Sequence, residues 1–206
     1  MSNKFVAIIL AAGYSSRMGK IKALLPFGNH TLIERLIYNF KNAKIDKIIV
    51  VLGYQKEIIS TNIKNLDIQI VHNQNFDDGM YSSVVSGVRA STDCDAFFIC
   101  PTDYPLIDKS TLKIMIDRYN SYPEKVIYPV YNEKKGHPPL IDKSVIPDIL
   151  SSSGDGGLKN VLSKYNDMAC YLPVDDPYIL MDMDTPSDYQ KCLDIFSETA
   201  QKKYPL

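Results

Sequence analysis

The chain has 206 residues, of which 45% are hydrophobic and 23% are charged, a composition typical of a globular protein with one sizeable core. Its formal net charge of -1 at pH 7 provides no overall positive field, which argues against nucleic acid as a partner. No segment reaches the roughly 18 consecutive apolar residues of a membrane-spanning helix, so we expect no membrane partner either.

Cysteine usage and the first residues bear on the compartment. The four cysteines are widely spaced and form no C-x-x-C pair, which argues against zinc and favours buried, reduced thiols. A strand is predicted from residue 5 onward, and no charged leader with a long apolar stretch precedes it. We therefore expect a cytoplasmic protein.

Apolar runs rich in β-branched residues alternate with helical patterns along the chain. Strands are predicted at residues 5–10, 47–52, 67–71, 96–100 and 125–130. Helices are predicted after the capping-box pattern of Thr31 and Glu34, over 54–64, from about Met80, and over 110–119. This alternation predicts an α/β fold, a three-layer sandwich with a mostly parallel sheet between helices.

The pattern changes after residue 130. A turn-rich stretch precedes the short apolar pair Leu140 and Ile141, and we expect an antiparallel addition or a lid there. A glycine-rich loop then opens another helix near Gly157, and a last helix is predicted to start at Pro186. Because no repeat and no linker is visible, we expect a single domain over residues 1–206.

The loop after the first strand is the most informative segment for function. Residues 10–22 read Leu-Ala-Ala-Gly-Tyr-Ser-Ser-Arg-Met-Gly-Lys-Ile-Lys. The small residues at positions 11–13 let backbone N–H groups approach a ligand, and three cations follow within six residues, at Arg17, Lys20 and Lys22. This combination suits the phosphates of a nucleoside triphosphate.

Two common phosphate-binding loops do not fit this segment. A Walker A loop has four residues between its glycines, whereas five separate Gly13 from Gly19, and Ile21 stands where that loop needs Ser or Thr. The dinucleotide fingerprint G-x-G-x-x-G fails because Ser15 occupies the place of its second glycine. The remaining pattern, L-A-A-G-x-S-x-R-M-G-x-x-K, resembles the signature of nucleotidyltransferases with a Rossmann-like, glycosyltransferase-A-like fold.

Candidate metal ligands follow later strands. Asp103 stands in Asp103-Tyr104-Pro105 after the strand at 96–100, and Asp184 stands just before the last helix. Ligands of open parallel sheets bind at the carboxyl ends of strands, and two carboxylates with phosphate oxygens and waters suit Mg²⁺. The alternative is that either residue only caps a helix.

A further segment, residues 77–87, has small and hydroxyl residues at a helix start, where a nucleobase can approach the backbone. Its candidates for base binding are Gly79, Ser82 and Ser83. A glycine-led helix start with exposed serines is the alternative.

The resemblance implies roles for these residues. Catalysis is implied for Arg17, Lys22 and Asp103, and Mg²⁺, or Mn²⁺ in its place, is implied on Asp103 and Asp184, with Asp182 as the alternate ligand. Tyr104 departs from the family, which often has Gln there. Nucleotide binding is implied for Leu10, Ala11, Ala12, Gly13, Ser15, Arg17 and Lys22, and for the candidates at the helix start.

Three features narrow the resemblance to molybdenum cofactor cytidylyltransferases. They are Leu-Ala-Ala-Gly, the pair Gly79-Met80 before two serines, and the elements Gly136-His137-Pro138 and Gly154-Asp155-x-Gly157. The last two imply that His137 and Asp155 bind the acceptor, within acceptor-binding elements at about 130–185. A structural turn and a helix cap are the alternatives, and Leu158 and Lys159 depart from the family pattern.

The narrower resemblance implies transfer of CMP from CTP to the phosphate of molybdopterin, giving molybdopterin cytosine dinucleotide and pyrophosphate. The implied partners are these small-molecule substrates and a recipient molybdoenzyme or its chaperone. Two alternatives stay open. One is a nucleotidyltransferase for a sugar phosphate or another small phosphate acceptor, and the other is a nucleotide-binding regulator without catalysis.

Overall fold

A central sheet organises the structure, a computed structural model that describes residues 3–203. The strands are β1 (Phe5–Ala11), β2 (Pro26–Phe27), β3 (His30–Thr31), β4 (Lys47–Leu52), β5 (Gln69–His72), β6 (Ala96–Pro101), β7 (Val126–Tyr131), β8 (Lys134–Lys135), β9 (Leu140–Asp142) and β10 (Ala169–Pro173). The helices are α1 (Leu32–Asn42), α2 (Lys56–Ile63), α3 (Met80–Arg89), α4 (Lys109–Ser121), α5 (Ile146–Ser151), α6 (Gly157–Ser163) and α7 (Pro186–Lys203).

The sheet is mostly parallel, as predicted. Its strand order is β5-β4-β1-β6-β9-β7-β10, with β8 paired to β7, while β2 and β3 form a separate antiparallel pair. All pairs along the main order are parallel except those of β9, which runs antiparallel to both β6 and β7. The antiparallel addition expected after residue 130 is therefore an inserted strand of the main sheet.

The central strand β1 is buried along its whole length because helices cover both faces of the sheet. Its odd-numbered residues, such as Ala7 and Ile9, pack in one apolar cluster with α1, α2, α4 and α7. Its even-numbered residues, such as Val6 and Ile8, pack in a second cluster with α3, α5 and α6. Burial on two sides explains why the strand reads as a continuous apolar run, and it confirms the three-layer sandwich.

Several local signals act as predicted. The Thr31 hydroxyl accepts a hydrogen bond from the backbone N–H of Glu34, whose carboxylate accepts one from the backbone N–H of Thr31, so a capping box starts α1. The four cysteines are free, and three of them are buried. Within residues 3–203, no helix is long and apolar enough to cross a membrane.

Register places three strand ends at the same edge of the sheet. Ala11 of β1 pairs with Leu52 of β4, and Leu10 pairs with Pro101 of β6. The backbone continues these contacts beyond the strands, since Tyr54 N–H donates to the Ala12 carbonyl at 3.0 Å. The loops that follow β1, β4 and β6 therefore leave the sheet side by side.

Candidate active site

A cleft of about 390 Å³ lies where these loops meet. It is lined by eleven of the residues that the sequence singled out: Leu10, Ala11, Ala12, Gly13, Ser15, Arg17, Lys22, Gly79, Ser83, Asp103 and Asp184. Three other candidates, Ser82, His137 and Asp155, are not among the lining residues. The structure thus brings together, in one cleft, the residues predicted for phosphates and metal, and it leaves the acceptor candidates outside the cleft lining.

The phosphate loop, residues 10–22, folds back on itself. Ser15 adopts a left-handed conformation with φ 53°, and its hydroxyl accepts a hydrogen bond from the backbone N–H of Lys22 at 3.4 Å. The buried Met18 anchors the middle of the loop in the core. Gly13 has no heavy atom within 4 Å of the position a Cβ would take, so its backbone is open to the cleft.

Asp184 pairs with both of the cations that the sequence predicts for phosphates. Its Oδ1 lies 3.0 Å from Lys22 Nζ, and its Oδ2 lies 2.9 Å from Arg17 Nη2. The hydrogen bond from Lys22 is the main cause that lowers the pKa of Asp184. Asp184 therefore stands as a fully charged carboxylate between two cations at neutral pH.

Asp184 does not cap the last helix. The backbone N–H and the hydroxyl of Thr185 donate to Asp188, at 2.9 and 2.6 Å, and the Asp188 N–H donates to the Thr185 hydroxyl at 3.2 Å. Thr185 and Asp188 thus form the N-terminal cap of α7. This arrangement leaves the Asp184 carboxylate to face the cleft.

Asp103 is the opposite case, a buried carboxylate whose charge is compensated only in part. Its Oδ1 is buried and has no hydrogen-bond partner among the described residues. Burial raises the pKa of Asp103 to about 6, with Lys22 opposing the rise and Asp184 and Asp182 adding to it. The backbone N–H of Met183 donates to the Asp103 carbonyl at 2.8 Å, which brings the Asp184 segment beside the end of β6.

These two carboxylates fit a divalent cation that is completed by its substrate. No cluster of three or more Cys, His, Asp and Glu side chains suited to a metal lies within residues 3–203. Mg²⁺ in phosphoryl-transfer sites commonly uses one or two carboxylates together with substrate phosphates and water. The buried, unpartnered oxygen of Asp103 is the group that such an ion would satisfy.

The serines at the start of α3 are held by a residue that the sequence did not single out. The side-chain amide of the buried Asn73 donates to Ser82 Oγ at 2.7 Å and to Ser83 Oγ at 3.0 Å. Ser82 in turn donates to the Gly79 carbonyl at 2.8 Å. Ser82 therefore stabilises the helix start, whereas Ser83 lines the cleft.

His137 lies beside the metal candidates but outside the cleft. Its ring packs on that of Tyr104, with centroids 4.5 Å apart, and its backbone N–H donates to the Ile179 carbonyl at 2.9 Å. Its Nδ1 is buried without a partner among the described residues, and burial lowers the pKa of His137. Tyr104 follows Asp103 in the chain, so the predicted turn packs against the residue next to Asp103.

Asp155 belongs to a different neighbourhood. Its exposed carboxylate accepts a hydrogen bond from Ser153 Oγ at 2.8 Å, and the adjacent Gly154 packs against Tyr81 of α3. It does not cap α6, whose N-cap is Gly156 without a side-chain hydrogen bond. None of the described hydrogen bonds or ion pairs joins Asp155 to His137.

Apolar groups in the cleft were not predicted from the sequence. The lining includes Tyr14, Phe76 and Met80, and Tyr14 also contacts Tyr54. Each aromatic residue follows a strand of the parallel sheet, which is the signal that could have found it. The loop motif itself is defined by small and charged residues, so it carries no information about these rings.

Comparison with known families identifies the family of this chain. Residues 7–169, more than half of the chain, match the family model described as the MobA-like NTP transferase domain. The chain belongs to this family. Asp184 lies beyond the matched residues of the MobA-like domain, and the structure nevertheless places it in the cleft with Arg17 and Lys22.

Relatives of the MobA-like chain differ in activity. Molybdenum cofactor cytidylyltransferase of Escherichia coli (strain K12) is 27% identical over 93% of this chain and 96% of its own length. Nicotine blue oxidoreductase of Paenarthrobacter nicotinovorans is 25% identical over 90% of this chain and 95% of its own. A solved nucleotidyl transferase from Methanothermobacter thermautotroptrophicus has a TM-score of 0.83 and 25% identity, covering 96% of this chain and all of that one. Both the predicted family and the predicted nucleotidyltransferase fold are confirmed.

Proposed function

We propose that this MobA-like protein transfers CMP from CTP to the phosphate of molybdopterin, forming molybdopterin cytosine dinucleotide and pyrophosphate. Family membership supports nucleotidyl transfer in general, and similarity to the Escherichia coli cytidylyltransferase favours these two substrates. The observation that carries the proposal is the meeting of Arg17, Lys22, Asp103 and Asp184 in one cleft.

We assign Lys22 to the α-phosphate and Arg17 to the β- and γ-phosphates. Only 11% of the Lys22 side chain is exposed, against 70% of Arg17, so water screens the Lys22 charge less. Backbone groups of residues 10–13 and the Ser15 hydroxyl complete the phosphate contacts. The base would lie toward Gly79, Ser82 and Ser83.

Asp103 and Asp184 would hold Mg²⁺, or Mn²⁺ in its place. The support is the buried oxygen of Asp103, whose charged form a cation stabilises. When bound, the metal would neutralise phosphate charge and orient the α-phosphorus.

The reaction depends on positioning and charge neutralisation. The acceptor phosphate is already ionised at pH 7, so its oxygen attacks the α-phosphorus without a general base. A bond forms between these two atoms, the bond from the α-phosphorus to the bridging oxygen of the β-phosphate breaks, and pyrophosphate leaves with that electron pair. Lys22 and Arg17 offset the negative charge that grows on the departing group.

We place the acceptor beside His137, because Tyr104 connects this ring to Asp103. The exposed carboxylate of Asp155 is a second acceptor candidate, which would contact parts of the acceptor far from its phosphate. The product would pass to a recipient molybdoenzyme or its chaperone. We propose the cytoplasm as the location, where free cysteines stay reduced.

The direct test is a pyrophosphate-release assay that crosses CTP, GTP, ATP and UTP with molybdopterin and with sugar phosphates, each with Mg²⁺ and with Mn²⁺. We expect the pair of CTP and molybdopterin to exceed every other pair. Fastest release with a sugar phosphate would support the alternative acceptor class. Nucleotide binding without release from any pair would indicate a regulator, and either result would contradict the proposal.

A further inference from the structure

The cleft has an aromatic side that the chemistry above does not use. We call Tyr14, Tyr54 and Phe76 the aromatic wall. The ring centroid of Tyr14 lies 4.8 Å from that of Tyr54 and 5.5 Å from that of Phe76. Because the three residues follow β1, β4 and β5, the wall is built from the same sheet edge as the phosphate loop.

Large apolar side chains of the wall and of the start of α3 are exposed to solvent inside the cleft. Tyr14 is 52% exposed and Met80 is 63% exposed, and both line the cleft. Phe76 and Ile59 line it as well. Aromatic and apolar surface in a concave site favours a planar ring that can stack on it.

A hydrogen bond connects Tyr14 to the segment that precedes α3. The Tyr14 hydroxyl donates to the carboxylate of Asp77, and this bond is the main cause that raises the pKa of Tyr14. Tyr14 stands in the phosphate loop, three residues before Arg17. Asp77 stands in the helical turn Phe76–Asp78, directly before Gly79 and α3. The bond therefore connects the segment with the phosphate cations to the segment with the base-binding candidates.

We propose that Tyr14 positions the nucleotide: its ring stacks on the nucleobase, and its hydrogen bond to Asp77 orients the ring beside the phosphate loop. This inference rests on the proposed function, because it takes the ligand to be a nucleoside triphosphate with its phosphates at Arg17 and Lys22. Every base has a face that can stack, so Tyr14 contributes affinity for any nucleotide rather than a preference for cytosine.

Calorimetric titration with CTP and with inorganic tripolyphosphate tests the inference, since only CTP has a base. We expect Tyr14→Ala to weaken CTP binding about tenfold, as loss of one stacking contact does, and to change tripolyphosphate binding by less than about twofold. Tyr14→Phe keeps the ring and should recover most of the affinity. Asp77→Asn should resemble Tyr14→Phe, because both changes weaken the same hydrogen bond.

A matched control is Tyr122→Ala, which removes a tyrosine that is 67% exposed and does not line the cleft. It should bind CTP like the wild type. In the pyrophosphate assay, we expect Tyr14→Ala to raise the KM for CTP about tenfold while kcat stays within about twofold. A collapsed phosphate loop would instead weaken tripolyphosphate binding and lower kcat.

The outcomes separate this inference from the proposed function. If the wild type releases pyrophosphate and Tyr14→Ala binds CTP as tightly as the wild type, the inference is overturned and the function stands. Equal weakening of CTP and tripolyphosphate would also overturn it. If no acceptor gives pyrophosphate but Tyr14→Ala selectively weakens nucleotide binding, the function fails and the inference stands.

Discussion

Asp103 shows how a side chain that we propose for the chemistry can at the same time oppose folding. Burial raises its pKa to about 6, whereas an unfolded Asp titrates near pH 3.9. Between about pH 4 and 6, the folded protein thus holds a proton that the unfolded chain has released. The free energy of unfolding falls as pH rises through this interval, and the loss is complete above about pH 6.

We therefore expect Asp103→Asn to stabilise the protein without ligand while it disables the reaction. Asn has the same shape without the buried charge, so the free energy of unfolding at pH 7.5 should rise by about 1–2 kcal/mol, with a smaller difference at pH 5. Pyrophosphate release should fall by on the order of a hundredfold, because a preorganised charge is lost. Urea denaturation at both pH values and the release assay measure the two effects.

The exposed Asp175 offers a control, since Asp175→Asn should change neither stability nor turnover appreciably. Our interpretation of Asp103 would be wrong if Asp103→Asn were less stable than the wild type at pH 7.5. It would also be wrong if the variant kept near-normal turnover.

Individual site residues could be predicted from the sequence only when a local pattern carried them. Arg17 and Lys22 stand in a contiguous loop motif, and Asp103 follows an apolar strand directly. The pairing of Lys22 with Asp184 joins residues 162 positions apart, and that of Tyr14 with Asp77 joins residues 63 apart. No local sequence pattern predicts either pairing, because the topology of the sheet brings these segments together.

At the scale of elements, burial on both faces made the central strands predictable. Strands such as β1 and β4, covered on both faces, read as unbroken apolar runs. The edge strand β10 was missed because it is only partly buried and ends at Pro173, so its sequence lacks that signal. The pair β2 and β3 has strands of two residues, too short for a periodic pattern.

Helix α3 is held against the sheet by the absence of a side chain. A Cβ on Gly87 would overlap Cγ2 of Ile8 and would lie 3.0 Å from Cγ2 of Val51. The close approach fixes the helix whose first turns carry Gly79 and Ser83. We expect Gly87→Ala to lower the free energy of unfolding by about 1–2 kcal/mol, because overlap in the core outweighs the gain in helix propensity.

The same change should raise the KM for CTP, since it displaces the base side of the cleft. Ser86→Ala, at the preceding helix position, is the matched control and should alter stability by no more than about 0.5 kcal/mol. Thermal or urea denaturation of both variants gives the comparison. A Gly87→Ala protein as stable as the wild type would contradict the close packing of α3 on β1 and β4.

At the scale of the whole molecule, the last third of the chain returns to complete a site begun by the first residues. Strand β9 is inserted between β6 and β7. Later in the chain, just before α7, the backbone N–H of Met183 donates a hydrogen bond to the Asp103 carbonyl. Asp184 thereby reaches the phosphate loop. Under the proposed function, the nucleotide-binding and acceptor-binding regions would therefore meet at the end of β6.

From the double pairing of Asp184 we expect binding of the metal and binding of the nucleotide to depend on each other. Without ligand, the two carboxylate oxygens of Asp184 face Lys22 and Arg17. A divalent cation that arrives alone therefore meets two positive charges, beside Asp103, whose Oδ1 has no hydrogen-bond partner among the described residues. A triphosphate bound at these cations would draw both of them to itself and release Asp184. By linkage, each ligand then tightens the other by the same factor.

Binding of Mn²⁺, followed by the electron paramagnetic resonance of the free ion, measures this coupling. We expect the protein to bind Mn²⁺ about tenfold more tightly, or more, when CTP is present, after correction for the Mn²⁺ that free CTP binds. Arg17→Ala should bind Mn²⁺ alone more tightly than the wild type and gain less from CTP, whereas Lys20→Ala, which removes a cation outside the cleft lining, should match the wild type. Equal Mn²⁺ binding by all three proteins would show that Asp184 is not restrained. If the coupling holds, the protein binds the metal and the nucleotide together more tightly than their two separate affinities would give.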